Sequence, residues 1–506
     1  MKKRNFIFSL IIFLGIVLFP KNVFAKELNI TSISCGEVSG ESTLLESKGQ
    51  YLLMDTCDED STHGVIDYLK SKNISKLDIY ISHYHKDHFG ELSAIISESL
   101  NSNSFTIGKI YLPDGTSTDY LDYIRSRINS ISVSSSDEAN KASALQTINN
   151  VRTIRDNIKI QVNNITNTSK KPTITYLSLN DTLTLGDATI NIIGPVKNRE
   201  NLANELIEKY NYNAGEAYIN NRSLVAMVTI GSTKFLTAGD IEYYEEQALI
   251  SSGKDLSASI MKLSHHALGK AFPNNTYRLS NNTDFMAKVN PKYAFFSRPE
   301  EYLGEETNIA NILADSKSEN RNIINLYSAK YNGTTTINIK DNIITVNPTS
   351  NYKTIKVEYR DKYTNKEIAT ARYYNFSYNT STDSNSVKIP FKLYGYKKSV
   401  SGYTFDSAKD TNGDEIVTSA NEITSGNVYT LKYTKNTTPS DDDDESDDNP
   451  GSNSGDNSGN NSGDNNEVEV PDTSMTTSIL FTIIGLAIVL LGGYIIYKGK
   501  KENKFN

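Results

Sequence analysis

Cysteine is nearly absent from this 506-residue chain, which holds only Cys35 and Cys57. No CxxC metal-binding pair can be built from them. In an oxidising compartment they either close one disulfide or remain two small buried residues. A basic excess is missing as well. Residues 26–436 carry 44 Lys and Arg against 47 Asp and Glu, so the body of the chain is close to neutral. That argues against a surface for long, non-specifically bound nucleic acid. Tryptophan does not occur, no long internal repeat is visible, and no Ser-His-Asp arrangement suggests a nucleophilic triad. Histidine is scarce, at six residues, and this scarcity gives its placement meaning.

Long apolar runs occur only at the two ends. Residues 1–25 have the form of a signal peptide: Lys2, Lys3 and Arg4, then an apolar stretch from Phe6 to Phe19, then Val23-Phe24-Ala25 at a cleavage site. Ile479 to Tyr497 is uncharged and long enough to span a bilayer, and Lys498, Lys500 and Lys501 follow it. The chain is therefore expected to be exported and held at the extracellular face of the cell membrane by a C-terminal transmembrane helix, with cell-wall attachment as the alternative.

Residues 26–350 alternate strand-like and helix-like stretches, an α/β pattern. Strands are expected at Leu28–Ser34, Ser42–Glu46, Tyr51–Asp55, Leu77–Ser82, Thr173–Leu179, Thr182–Leu185, Ala188–Ile193, Leu224–Ile230 and Lys234–Ala238. Tyr293–Ser297 and Ile323–Leu326 are expected to extend the sheets, and Asn332-Gly333 reads as a hairpin signal before Thr335–Ile339. Helices are expected at Val65–Ser71 and Gly90–Leu100, and residues 117–170 read as a helix-prone insertion outside the core. Residues 351–436 form a separate β-rich module. Within it, Asp410-Thr411-Asn412-Gly413-Asp414 reads as a turn rather than a calcium loop. Residues 437–470 are an acidic Gly/Ser/Asn/Asp-rich linker that cannot offset its ordering entropy by burial. Residues 471–506 hold the rest of a sorting-like segment, the apolar span and the basic tail.

Five of the six histidines fall in two tight groups, His83, His85 and His88, and His265 with His266. The first belongs to His83-Tyr84-His85-Lys86-Asp87-His88, placed between a strand and a helix. Imidazoles and a carboxylate on one short loop suit Zn²⁺ and similar ions. Alternation along the loop can point His83 and His85 one way and Asp87 with His88 the other. His63 has no partner in sequence and reads as an exposed helix residue.

The H-x-H-x-D-H run resembles the signature of the metallo-β-lactamase superfamily, over roughly residues 28–347. Leu52-Leu53-Met54-Asp55-Thr56, Phe235 to Asp240 and Lys262 to His266 resemble three further strand ends of that family. Asn221-Arg222-Ser223-Leu224-Val225, Gly239-Asp240-Ile241-Glu242 and His265-His266 are similar to the extracellular hydrolase domain of bacterial DNA-uptake channel proteins. The resemblance implies a four-layer αββα sandwich. It also implies a first metal on His83 and His85, and a second on Asp87, His88 and His265. Asp240 would bridge the two metals, and Asp55 would orient ligands from behind. Catalytic roles fall to Asp240, Asp87 and His266, the last as substrate contact or proton donor. Asn221 and Ser223 are expected to line the pocket, with strand packing as the equal alternative for Ser223.

Two departures stand out. No histidine lies between positions 88 and 265 to complete the first site, and Cys57 replaces the usual Gly after Asp-Thr, so it is one end of a disulfide to Cys35 if one forms. The expected cofactor is zinc, one or two ions, with manganese as the alternative.

The implied reaction is hydrolysis by a metal-activated hydroxide. The substrate would be a phosphodiester: a small phosphoester, nucleic acid or wall polymer, including phosphorylcholine-type esters. A lactone or β-lactam is the second enzyme reading, and a catalytically retired fold acting as a surface adhesin is the third. Residues 352–436 resemble mucin-binding repeats through Val357-Glu358-Tyr359, Ser401-Gly402-Tyr403 and Val428 to Tyr433, implying wall or host-glycoprotein contact. Val470-Pro471-Asp472-Thr473-Ser474 is similar to a sortase signal, but Val470 and Ser474 replace its Leu and Gly, which favours a plain membrane anchor.

Overall fold

The computed structural model describes residues 25–35, 40–58, 64–102, 104–113, 119–267, 280–297, 325–328, 333–347, 351–378, 400–410, 412–415 and 428–436. Nearly all of the signal-peptide segment, His63, the acidic linker and the C-terminal apolar run lie outside these residues.

The chain opens with strands β1 (Glu27–Ser32), β2 (Thr43–Ser47), β3 (Gln50–Met54), β4 (Lys76–Tyr80), β5 (Thr106–Pro113) and β6 (Thr173–Leu177). It continues with β7 (Thr182–Leu185), β8 (Ala188–Gly194), β9 (Val225–Ile230), β10 (Thr233–Thr237), β11 (Ile260–Lys262), β12 (Tyr293–Phe296) and β13 (Asn325–Ser328). Then come β14 (Thr335–Lys340), β15 (Ile343–Asn347), β16 (Asn351–Asp361), β17 (Glu367–Tyr378), β18 (Tyr403–Lys409) and β19 (Val428–Lys435). One sheet has the order β15-β14-β1-β2-β3-β4-β5-β6 and the other β18-β19-β16-β17-β13-β12-β11-β10-β9-β8-β7. Both are mixed. β3 to β6 run parallel in the first, and β10 to β13 in the second.

Alternation along the strands builds the layers. Leu52 and Met54 of β3 join Ala226, Val228, Phe235 and Ile260 of the other sheet in one buried cluster, while Leu53 belongs to a different one. That second cluster unites Leu53, Ile79 and Ile110 with Val65, Leu69, Ile95 and Ile96 from helices on the outer face. On the far side Val225, Met227, Leu236 and Met261 pack with Leu249, Phe285 and Met286. Helix, sheet, sheet, helix is the four-layer order expected. Each fully buried Leu or Ile adds roughly 1.5–3 kcal/mol relative to exposure.

Two expectations need correcting. The region expected to be an insertion outside the core forms helices Tyr120–Asn129 and Glu138–Asn163, and their Leu121, Ile124, Ile148, Val151 and Ile158 sit in the first outer core. Arg155 ties the longer helix to the histidine loop: it pairs with Asp119 and Asp156, and its guanidinium lies 5.8 Å from the ring of Tyr84. The hairpin signal at Asn332-Gly333 falls on Asn332, which lies outside the described residues. A two-residue hairpin joins β14 to β15 at Asp341 and Asn342, whose φ values of 50° and 67° suit a type I′ turn. Finally, β17 pairs with β13, so the strands of residues 351–436 continue the second sheet. Val357, Tyr359, Tyr429 and Leu431 share an apolar cluster with Leu249 and Phe285. Asp410 Oδ1 accepts from the backbone N–H of Asn412 and of Asp414, closing a turn there.

Candidate metal centre

The candidate ligands lie at the C-terminal ends of β3, β4, β10 and β11, two strands from each sheet. The loop after β3 kinks at Asp55 and Cys57, both left-handed at φ 60° and 61°. A glycine takes that conformation freely, which accounts for the residue type usual after Asp-Thr. Here the kink is fixed by a disulfide between Cys35 and Cys57, whose Cα atoms are 5.9 Å apart. It is fixed too by backbone bonds from Thr56 N–H to His88 O at 2.7 Å and from Cys57 N–H to Glu41 O at 2.9 Å.

After β4 the chain runs extended to His85 and then makes a single helical turn, Lys86–Phe89. The turn brings His88 back beside His83, with ring centroids 4.2 Å apart, so these two are not directed to opposite sides as the spacing suggests. Asp55 holds the loop from beneath. Its Oδ1 accepts from Ser82 N–H at 2.7 Å, and its Oδ2 accepts from Ser82 Oγ at 2.7 Å and from His88 Nδ1 at 2.8 Å. With Nδ1 engaged, Nε2 of His88 is left to face the centre.

Asp240 is the hub. Its Oδ2 lies 3.1 Å from His88 Nε2, 3.3 Å from His266 Nε2, 3.9 Å from His83 Nε2 and 4.0 Å from His265 Nε2. His266 Nε2 is also 3.0 Å from Asp87 Oδ2 and 3.1 Å from His88 Nε2. Asp87, His88, Asp240 and His266 thus offer four donor atoms all within 4.8 Å of one another. His83 lies beside His85, with ring centroids 4.9 Å apart, on the looser side of Asp240.

Of the paired histidines, the resemblance implies His265 with Asp87 and His88; the side chain that clusters with them in the structure is His266. The reason is local backbone. Both residues adopt left-handed conformations, with φ 51° at each, so strand alternation no longer governs their directions. His266 is oriented by Ser297 Oγ, 2.8 Å from its Nδ1. His265 keeps its Nε2 4.0 Å from Asp240 Oδ2, and its Nδ1 lies 3.6 Å from Glu242 Oε1.

Asn221 and Ser223 are wholly buried. Asn221 Oδ1 accepts from the backbone N–H of Glu242 and Glu245, and its Nδ2 donates to Glu242 Oε2 at 3.2 Å. Ser223 Oγ accepts from Asp240 N–H at 3.1 Å. Both position the hub loop. Gly239 is required there: a Cβ would come within 2.8 Å of Ser223 Cβ and 3.0 Å of Ser82 Cβ. Sequence reasoning missed Glu41 and Lys262, which form a buried ion pair below the centre, with Lys262 Nζ 3.7 Å from Asp240 Oδ1. Glu41, Asp55 and His88 also cluster, but Lys262 and Ser82 already engage those carboxylates.

The electrostatics fit a cation. Burial opposes ionisation of Asp240 and Asp87, yet His88 and His266 outweigh it and hold both carboxyls well below the usual range. Burial, helped by His88, pushes His83 well below an ordinary imidazole, so it is neutral and able to ligate. Its Nε2 is buried without a hydrogen-bond partner. Burial likewise lowers His85 against the pull of Asp87, Glu216 and Asp240. Burial opposes the charge on His88, yet Asp240, Asp55 and Asp87 raise it well above an ordinary imidazole, so it carries a proton that a metal ion would displace. Carboxylate oxygens and imidazole nitrogens gathered in one buried site are the donor set of zinc and related ions.

Residues 464–504 match the family model described as the LPXTG cell wall anchor motif. The chain thus carries the signal of a Gram-positive cell-wall-anchored surface protein. The replacements Val470 and Ser474 do not remove that signal, which corrects the preference for a plain membrane anchor. Among the described residues no helix is long and apolar enough to cross a membrane.

No curated protein matches the sequence. Solved structures resemble it at low identity. The metallo-β-lactamase fold protein YhfI of Bacillus subtilis is 12% identical, with a TM-score of 0.30, over 53% of this chain and 85% of that one. CmlA, a diiron β-hydroxylase from Streptomyces venezuelae, is 10% identical, with a TM-score of 0.29, over 53% of this chain and 44% of that one. A diphosphatase from the PhnP family is 12% identical, with a TM-score of 0.29, over 54% of this chain and 85% of that one.

Proposed function

We propose that this chain is a cell-surface, metal-dependent hydrolase acting on phosphodiesters. The observation that carries the reading is Asp240 Oδ2 with four imidazole nitrogens within 4.0 Å, in a buried site that also holds Asp87. Asp87, His88, His266 and Asp240 would hold one ion. His83, His85 and His265, sharing Asp240, would hold a second. His265 thus supplies the third histidine that the first group lacks in sequence. Divalent cations there would lower the pKa of water towards neutrality and clamp the oxygens of a phosphoryl group.

The chain's own residues supply the rest. Asp55 fixes His88 in the tautomer that presents Nε2. Lys262, at Oδ1, leaves Oδ2 of Asp240 directed at the imidazoles, where it can accept a proton from attacking water. Asp87, His265 and His85 are the partly exposed members, the first two at 28% and 13% of their side chains, against 4% or less for His83, His88, His266 and Asp240. Substrate therefore enters past Asp87, His85 and His265. The near-neutral body favours a small or uncharged-bodied diester over duplex DNA.

The test is tightly bound metal in the full chain, measured beside turnover of bis-p-nitrophenyl phosphate, in wild type and His85→Ala. One or two equivalents, with turnover lost on chelation and in the variant, support the proposal. A wild type that binds no metal and turns over nothing sinks it.

A further inference from the structure

A cavity of about 690 Å³ opens between the helix Glu138–Asn163 and the segment from Lys209 to Ile219. Its walls divide about evenly between polar and apolar surface, and amides and hydroxyls supply much of the polar half. Asn140, Ser143 and Thr147 face it from the long helix, and Asn211 and Asn213 from the other side, with the rings of Tyr210 and Tyr212 between them. Lys209 and Glu216 are the charged groups in the lining, and they are of opposite sign. Such a cavity has no means of holding a run of phosphates. It is well suited to a neutral, polyhydroxylated ligand, because amides both donate and accept, and tyrosine offers an apolar face with a polar tip. The volume lies within the range of ordinary ligand pockets.

Two observations tie the cavity to the metal centre and mark it as built. The short helix Ala214–Asn220 spans both sites. Its Glu216 and Ile219 line the cavity, while its last residue, Asn220, donates from Nδ2 to Glu242 Oε1 at 3.0 Å, the oxygen 3.6 Å from His265 Nδ1. At the cavity, Gly215 lets this helix press against the long one: a Cβ would meet Ile148 Cδ1 at 2.8 Å. Beside it Asn211 is held at φ 53° and ψ −132°, a conformation strained for any residue but glycine. Strain of this kind costs on the order of 1–3 kcal/mol and clusters at ligand sites.

We propose that this cavity binds an uncharged glycan portion of the substrate, next to the bond cleaved at the metal centre. The proposal rests on the hydrolase reading for its second half only. It agrees with a wall-anchored chain, which works among glycans.

The experiment is calorimetric titration of the full chain, stripped of metal by chelator, with chitotriose and with maltotriose. Binding of either is expected, weakened about tenfold or more by Thr147→Trp, which fills the cavity from the long helix, and by Tyr212→Ala. Variants are compared only with an unchanged far-UV spectrum, and Ser143→Arg on the exposed helix face is the third variant should either fail to fold. No binding of either sugar, or wild-type affinity in every folded variant, overturns the proposal. Binding of adenosine in their place overturns it in favour of a nucleoside. Because the titration is done without metal, a failed hydrolase reading leaves its result standing.

Discussion

Replacing Asp55 by asparagine exchanges one carboxylate oxygen for an amide, with no change of shape. Asparagine tolerates the φ of 60° at this position, so the backbone kink should persist. The hydrogen bonds cannot all persist. Oδ1 accepts from Ser82 N–H, and Oδ2 accepts from both Ser82 Oγ and His88 Nδ1. The amide oxygen must remain opposite Ser82 N–H, because that donor cannot turn, so the new NH₂ faces His88 Nδ1. His88 can meet it only by accepting at Nδ1, which moves its proton to Nε2, the atom aimed at Asp240. The change therefore removes a metal-ligating lone pair without touching a ligand. Loss of such outer partners costs 10–100-fold in metal affinity, or about 1.4–2.8 kcal/mol. The assay is competition with a chromophoric chelator, comparing wild type, Asp55→Asn and Asp55→Ala at equal stoichiometry. Equal dissociation constants for wild type and Asp55→Asn would refute the assignment of the His88 tautomer to Asp55.

His266→Ala should abolish the tightest equivalent of bound metal, whereas His265→Ala should leave that equivalent and weaken only a second. The opposite pattern in a metal titration would restore the order expected from sequence. Glu245 and Glu246 are buried and their carboxyls are pushed up to about 7. Their folded-state values lie above the unfolded ones, so the native chain binds the extra protons, and stability falls as pH rises from about 4.5 to about 7. Glu246→Gln should remove one share of that decline, up to about 3 kcal/mol. Urea denaturation of wild type and variant across that window measures it, and parallel curves would count against the burial argument. Cys57→Ser opens a cross-link with a sequence separation of 22, expected to cost about 3 kcal/mol. An unchanged denaturation midpoint would show that the disulfide contributes nothing.

Much of the centre was legible because its chemistry is concentrated. His83, His85, Asp87 and His88 stand on one loop, and Asp55 and Asp240 each end an apolar strand, so residue type and spacing locate them. What escaped was set by backbone conformation or by distant packing. Two consecutive left-handed residues bring His266 rather than His265 into the cluster with Asp87 and His88, and no periodicity encodes that. Asn221 and Ser223 carry the residue types of a pocket but are buried under the hub loop. The strand Thr106–Pro113 was missed because Gly108 and Lys109 interrupt its apolar run and Pro113 ends it. Its parallel pairing with β4 and β6, which residues far along the chain provide, compensates. The helix Arg199–Tyr210 is announced chiefly by its cap, where Asn198 Oδ1 accepts from Glu200 and Asn201 N–H. The long helix Glu138–Asn163 looked peripheral because its apolar face is a narrow stripe on a polar element.

The two sheets meet at the metal centre, and this couples the chemistry to the sandwich. Asp55 and the histidine loop belong to the first sheet, and Asp240 with His265 and His266 to the second. Leu224 N–H donates to Ser82 O at 2.9 Å, and Tyr80 Oη donates to Leu224 O at 3.1 Å, so the seam is hydrogen-bonded beside the ligands. Without a cation, the seam must keep Asp240 and Asp55 in a dry space beside the partly exposed Asp87, with Lys262 already engaged by Glu41. A metal ion that binds only when both sheets present their ligands must then stabilise the fold. At a free concentration 100 times its dissociation constant the gain is about 2.7 kcal/mol. Added zinc or manganese should raise the denaturation midpoint of wild type by that amount, and leave His266→Ala largely unmoved. If wild type binds metal tightly and its midpoint stays where it was, the ligands are equally available in the unfolded chain, and the seam is not what assembles them.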